Sequence, residues 1–98
     1  MSTIGNRFKK IRQELKLSQE LFGAKLGMSK SGISAVENDK VFVSVDALRT
    51  LFFDLNVNLN WFISGKGEIF NTPEFEDVKT DILREVDDIL IKYGVKNK

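Results

Sequence analysis

Residues 18–37 read Ser18-Gln-Glu-Leu-Phe-Gly-Ala-Lys-Leu-Gly-Met-Ser29-Lys-Ser-Gly-Ile-Ser-Ala-Val-Glu37, and this stretch decides the fold. Ser18 is a good N-cap, because its hydroxyl accepts a backbone N–H of the first helical turn. Leu21, Phe22, Lys25 and Leu26 follow at helical spacing and predict an apolar stripe. Gly27 ends that helix, since the residue after a helix C-terminus favours positive φ and glycine adopts it without strain. Ser29 then caps a second helix, 29–37. Ile33 and Val36, three apart, set the face that turns inward. The outer face carries Lys30, Ser31, Ser34 and Ala35, which are small, polar or basic. A helix with one buried edge and such an outer edge can lie in a groove.

The pattern of helix, Gly-hinged corner, Ser-capped short helix with inward Ile33 and Val36, then Glu37-Asn38, resembles the helix-turn-helix of the phage repressor and Cro family. These are DNA-binding proteins of the lambda repressor-like, or XRE, type. The run Gly27-Met-Ser-Lys-Ser-Gly-Ile-Ser-Ala35 looks particularly like a lambdoid repressor, and the resemblance extends over about residues 4–69. It implies an all-α fold with a five-helix DNA-binding domain over 1–69; the C-terminal amphipathic helix expected beyond it is read from its own apolar spacing, and nothing in the resemblance assigns it. Two positions depart from the family. Gly23 stands where alanine is usual, which costs about 1 kcal/mol of helix propensity. Asp39 stands where glycine usually follows Glu-Asn, so the next turn is open to change.

A chain of 98 residues with 42% hydrophobic and 30% charged side chains is one domain's worth and can bury a core. It has no cysteine, hence no disulfide framework or thiolate metal site, and no histidine, the commonest general base. No apolar run approaches the ~18 residues of a membrane helix, and no signal-peptide core opens the chain. A soluble, cytoplasmic protein without cofactor, metal or membrane partner is expected. Net charge is only +1, but residues 1–40 hold eight basic side chains against four acidic, while residues 74–98 hold five against seven. That asymmetry predicts a basic face and a more acidic tail.

Taken from the start, Ile4, Phe8, Ile11 and Leu15 recur at helical spacing and predict a first helix over 4–16, with Arg7, Lys9, Lys10 and Lys16 largely off its apolar face. The resemblance implies that Arg12 pairs with Glu37, the glutamate ending the second helix of the motif. A guanidinium fork facing a carboxylate suits such a bridge. Val41-Phe42-Val43 is unexpectedly apolar for a loop; it tucks onto the core or marks a contact surface, with the core favoured. Ser44 caps a fourth helix whose inward stripe is Leu48, Leu51, Phe52 and Leu55. Asn58 caps a fifth, Leu59 to Ser64, ended by Gly65. Residues 60–68, Asn-Trp-Phe-Ile-Ser-Gly-Lys-Gly-Glu, resemble the family's closing helix and its exit. There the counterpart of Trp61 packs inside the bundle, which outweighs a base-stacking role.

Residues 66–73 read as a linker. Beyond Pro73, Val78, Ile82, Val86, Ile89 and Tyr93 predict an amphipathic helix over 74–93, stopped by Gly94. Such a stripe needs a partner surface, either on its own domain or on a second chain. Family members commonly dimerise through the fifth helix, where Asn60 and Phe62 are candidates; together with the 74–93 stripe these form the expected dimer interface.

The implied function is a sequence-specific double-stranded DNA-binding transcriptional regulator, a repressor, that inserts helix 29–37 into the major groove of a palindromic operator as a homodimer. B-DNA's major groove admits one helix and shows base edges with a distinguishable donor and acceptor pattern. Lys30, Ser31, Gly32, Ser34 and Ala35 are the base-reading candidates. Lys30 can donate to guanine, Gly32 permits close approach, and Ala35 can meet a thymine methyl. Gln19, Lys25, Asn38 and Lys40 are the phosphate candidates. The alternative is an antitoxin-like regulator whose main contact is another protein through the C-terminal helix. An enzyme is not supported. The carboxylates Asp87-Asp88 and Glu74, Glu76 and Asp77 read as solvated surface and dipole complement, and no phosphate-binding glycine loop is present.

Overall fold

Each predicted cap is made by the side chain expected to make it. The computed structural model describes residues 2–71, which form α1 (Ile4–Glu14), α2 (Gln19–Leu26), α3 (Lys30–Glu37), α4 (Val45–Phe53) and α5 (Leu59–Ser64). Ser18, Ser29 and Ser44 accept from the backbone N–H three residues on, at 3.1, 3.0 and 3.1 Å. Asn58 does the same for α5 through Asn60 N and Trp61 N. Gly27 and Gly65 close α2 and α5 with φ of 68° and 80°.

α1 is two residues shorter than its apolar spacing suggests. Lys16 takes φ +59°, and the N–H groups of Lys16 and Leu17 turn back to the carbonyls of Gln13 and Arg12. This left-handed closure satisfies the last carbonyls of the helix in the way a glycine usually does.

The core gathers Phe8 and Ile11 of α1, Phe22 and Leu26 of α2, Ile33 and Val36 of α3, Ala47 and Leu51 of α4, Val57, and Trp61 and Phe62 of α5. Phe8 sits at its centre, with ring centroids 5.0 Å from Phe22 and 6.2 Å from Phe62. Full burial of such aromatic and aliphatic side chains contributes roughly 1.5–3 kcal/mol each before entropy is subtracted. Trp61 is in this core, as its sequence context implied.

Several expectations are corrected. Leu21 is exposed, because the buried arc of α2 runs through Phe22, Gly23 and Leu26, and Leu21 lies on the far side. On α4 the fully buried positions are Ala47 and Leu51, whereas Leu48, Phe52 and Leu55 are half-buried at the edge. The apolar loop divides: Val43 turns into the core while Val41 and Phe42 are each 54% exposed. Residues 66–71 are more than a linker. Asn58 N bonds to Ile69 O, Asn71 N bonds to Asn56 O, and Val57 bridges Phe70 in an antiparallel step. Ile69 and Phe70 pack on the core, so this clip is part of the folded unit. The expected helix 74–93, with Val78, Ile82, Val86, Ile89 and Tyr93, lies outside the described residues.

A candidate nucleic-acid interface

The corner between α2 and α3 is tight for a reason visible at Gly23. A Cβ there would collide with the carbonyl oxygen of Met28, and Met28 N donates to Gly23 O at 2.8 Å. The departure from alanine therefore removes an atom where the chain folds back on itself. α3 is set by this corner at one end and by α1 at the other.

Glu37, at the C-terminus of α3, is buried with its side chain 4% exposed. Its Oε2 accepts from Arg12 Nε at 2.6 Å, and its Oε1 accepts from an Arg12 terminal nitrogen at 3.2 Å and from Gln19 Nε2 at 3.1 Å. The other Arg12 terminal nitrogen donates to Leu17 O at 3.0 Å. A buried carboxylate met by three donors is satisfied, and the forked pair fixes orientation as well as distance. Through this cluster α1, the start of α2 and the end of α3 are held as one body.

A second tie runs beside it. Gly5 packs so close to α3 that a Cβ would come within 2.6 Å of Val36 O. Asp39 adopts φ +59°, the left-handed turn for which glycine is usual. Its carboxylate accepts from Gly5 N at 2.8 Å and from Thr3 Oγ1 at 2.6 Å. The family's turn is thus preserved with a different residue, and the carboxylate sits at the positive end of α1.

This bracing leaves one edge of α3 outward. Ile33 and Val36 are buried, Lys30 and Ser31 are exposed, and Gly32, Ser34 and Ala35 are half-buried. The base-reading candidates therefore form a broad outer strip, the part of α3 that the core leaves uncovered. Ser31 Oγ lies 3.1 Å from Ser29 Oγ, and Asn38 Nδ2 donates to Ser34 O at 2.8 Å. Lys25 and Lys40 are exposed, and neither they nor Lys30 are tied to a carboxylate among the described residues. Gln19 begins α2, so its backbone N–H faces outward unpaired by the helix while its amide is held by Glu37.

Phe62 is corrected as a dimer contact: it is fully buried against Phe8, and its side chain cannot reach a second chain. Asn60, two residues before it, is exposed. Arg7 was counted with the surface cations but is 9% exposed. Its Nε donates to Phe62 O at 2.7 Å, one terminal nitrogen to Ile63 O at 3.1 Å, and the other to Ser2 O and Oγ at 3.0 and 2.9 Å. Arg7 thus closes α5 onto α1 and leaves the basic face one cation poorer than its count in the sequence.

Set against known proteins, residues 8–62 match the helix-turn-helix family HTH_3. That span is more than half of the chain, and the chain belongs to this family of XRE-type DNA-binding transcription regulators rather than to any class of enzyme. No curated protein matches the sequence. A solved structure that does match is the P22 c2 repressor protein in complex with synthetic operator 9T in the presence of Tl+. The TM-score is 0.61 at 24% identity, over 67% of this chain and 100% of that one. The similarity carries the five-helix fold, and the repressor-like resemblance read from residues 4–69 agrees with it. No helix among the described residues is long and apolar enough to cross a membrane.

Proposed function

We propose that the protein is a repressor that binds a palindromic double-stranded operator sequence-specifically, as a homodimer, with α3 in the major groove. The observation that carries this reading is the strip on α3. Lys30, Ser31, Gly32, Ser34 and Ala35 form the broad outer strip of a helix whose opposite edge is buried and whose end is braced by Arg12 and Glu37. Lys30 and Ser31 stand at the N-terminal end, which this motif brings nearest to base edges. Gln19, Lys25, Asn38 and Lys40 flank the strip and serve phosphate. Similarity to a repressor recorded with a synthetic operator supports DNA as the partner. One recognition helix spans few base pairs, so two copies on half-sites about one helical turn, ~34 Å, apart supply the specificity. Asn60 and the stripe Val78, Ile82, Val86, Ile89 and Tyr93 are the residues to test for the contact between copies.

Selection of bound sites from random duplex DNA tests the reading. A palindromic consensus with fixed half-site spacing is expected. Lys30→Ala should change which bases are preferred. Lys40→Ala should weaken all duplexes alike and lower the salt slope by about one. A Lys30→Ala profile identical to wild type would remove α3 as the reader.

A second reading, a regulator whose main contact is another protein, gains from the exposed apolar group Val41, Phe42 and Val45 beside α3. Full operator affinity and specificity in a Val41→Ser, Phe42→Ser variant would separate such a contact from DNA binding.

A further inference from the structure

We infer that Ser29 fixes the hydrogen-bonding sign that Ser31 presents to DNA, and so is a positioning residue for base selection; this rests on Ser31 being a base reader. The two hydroxyl oxygens lie 3.1 Å apart, close enough for one to donate to the other. Ser29 Oγ also accepts from Gly32 N at 3.0 Å. Each hydroxyl has one proton and two lone pairs. If Ser31 donated to Ser29, Ser31 would offer only lone pairs outward, and its base partner would have to be a donor. If Ser29 donates to Ser31, the Ser31 proton is left for the outside, and its partner is an acceptor.

The geometry points to the second arrangement. An oxygen that accepts a backbone N–H becomes a better donor, so the bond from Gly32 N favours Ser29 giving its proton onward. The positive end of the α3 dipole acts in the same sense, drawing the Ser29 oxygen toward the helix and pushing its proton away. The resulting chain runs from Gly32 N–H through Ser29 O–H to Ser31 O–H and then to solvent or a base. In the major groove the acceptors are guanine N7 and O6, adenine N7 and thymine O4, whereas cytosine offers only its N4 donor. Ser31 therefore selects guanine, adenine or thymine against cytosine at the base it faces. Lys30 beside it is a donor as well, so the outer edge of the first turn of α3 reads acceptors at two successive positions.

The test is the base preference profile of full-length Ser31→Ala, Ser29→Gly and Ser29→Asp proteins on duplexes varied one base pair at a time. Glycine and aspartate are both acceptable N-caps, and thermal unfolding checks that each variant is folded. Ser31→Ala should abolish a roughly three- to tenfold discrimination against cytosine at one base pair, the effect of one net hydrogen bond. Ser29→Gly frees the Ser31 hydroxyl to rotate and should flatten discrimination at that same pair. Ser29→Asp can only accept, draws the Ser31 proton inward, and should turn the preference toward cytosine. Its added negative charge weakens every duplex together, so the ratio between bases is the quantity read. If Ser31→Ala alters one base pair while both Ser29 variants keep the wild-type preference there, the coupling is wrong and Ser31 reads alone. If Ser31→Ala moves no base pair, the coupling falls together with the base-reading role beneath it.

Discussion

α1 carries two buried or half-buried arginines, and they end in opposite kinds of partner. Arg12 meets a carboxylate, Glu37 of α3, with side chains 15% and 4% exposed. Arg7, five residues earlier, meets carbonyl oxygens of Phe62 and Ile63 at the C-terminus of α5, together with Ser2. The first ties α1 to α3, and the second ties α1 to α5. Charge is balanced at Arg12 by a formal anion and at Arg7 by the negative end of a helix. The two ends should therefore fail differently when broken.

The largest effect is expected from Arg12→Ala. It leaves the buried Glu37 carboxylate with Gln19 as its remaining side-chain donor. Stranding a buried charge costs about 3–5 kcal/mol. Urea unfolding at fixed protein concentration measures it. Deleting Glu37 as well should return part of the loss, and a double-mutant cycle should give coupling above ~0.5 kcal/mol. Simple additivity would mean that the pair seen in the structure carries no energy of its own.

Arg7→Ala should follow at about 2–3 kcal/mol, in the range for hydrogen bonds to a charged donor. Arg7→Lys should restore only part, since a single ammonium cannot reproduce a fork that spans Phe62 O, Ile63 O and Ser2. No carboxylate deletion should rescue Arg7→Ala, because its partners are backbone carbonyls and the neutral Ser2 hydroxyl. A rescuing carboxylate deletion would overturn the distinction between the two ends.

What the sequence disclosed follows the same division. Arg12 and Glu37 were paired from the resemblance because both partners are side chains, and side chains are what a sequence lists. Arg7 read as one more surface cation, because carbonyl partners exist at every position and mark none. The capping serines and asparagine were legible, since each stands at a change of pattern and has its N–H acceptor role fixed by chemistry. Asp39 was visible as a departure, but its service to Thr3 and Gly5 depends on two distant segments meeting. The apolar loop failed for a related reason: Val41, Phe42 and Val43 are alike in composition, and only the path of the chain decides that Val43 alone turns inward. Phe62 was misassigned because family practice pointed to a surface role for α5, while the packing against Phe8 takes that side chain. That Lys30, Ser31, Ser34 and Ala35 lie off the buried face of α3 was legible from the spacing of Ile33 and Val36; the bond from Gln19 to Glu37 and the hydroxyl pair at Ser29 and Ser31 were not.

The comparison extends to DNA. Under conditions where all variants are folded, Arg12→Ala with Glu37→Ala should weaken operator binding about tenfold, equivalent to ~1.4 kcal/mol, because α3 loses its brace. Arg7→Lys should leave it nearly unchanged, since α5 lies across the core from α3. Fluorescence anisotropy on the selected operator measures both. Equal losses would mean that α3 and α5 move together and that the two ends are one.

The smallest effect is expected from the third cation of α1 with an assigned partner. Lys10 Nζ lies 3.6 Å from Glu14 Oε1, one turn along the same helix, with side chains 55% and 49% exposed. It is an ion pair like that of Arg12, but it is an ångström longer than the 2.6 Å Arg12 contact and lies on the surface. Water screens it, two flexible side chains must be ordered to make it, and such exposed pairs are worth about 0.5 kcal/mol or less. Its orientation is the weaker one, with lysine N-terminal to glutamate, and Glu14 sits at the negative end of α1. Alanine at position 10 also improves helix propensity. These terms oppose one another, so Lys10→Ala should change unfolding stability by less than ~0.5 kcal/mol in either direction. A loss approaching that of Arg12→Ala would show that exposure is not what separates the strong tie from the weak one, and that geometry rather than burial gives the Arg7 and Arg12 ties their strength.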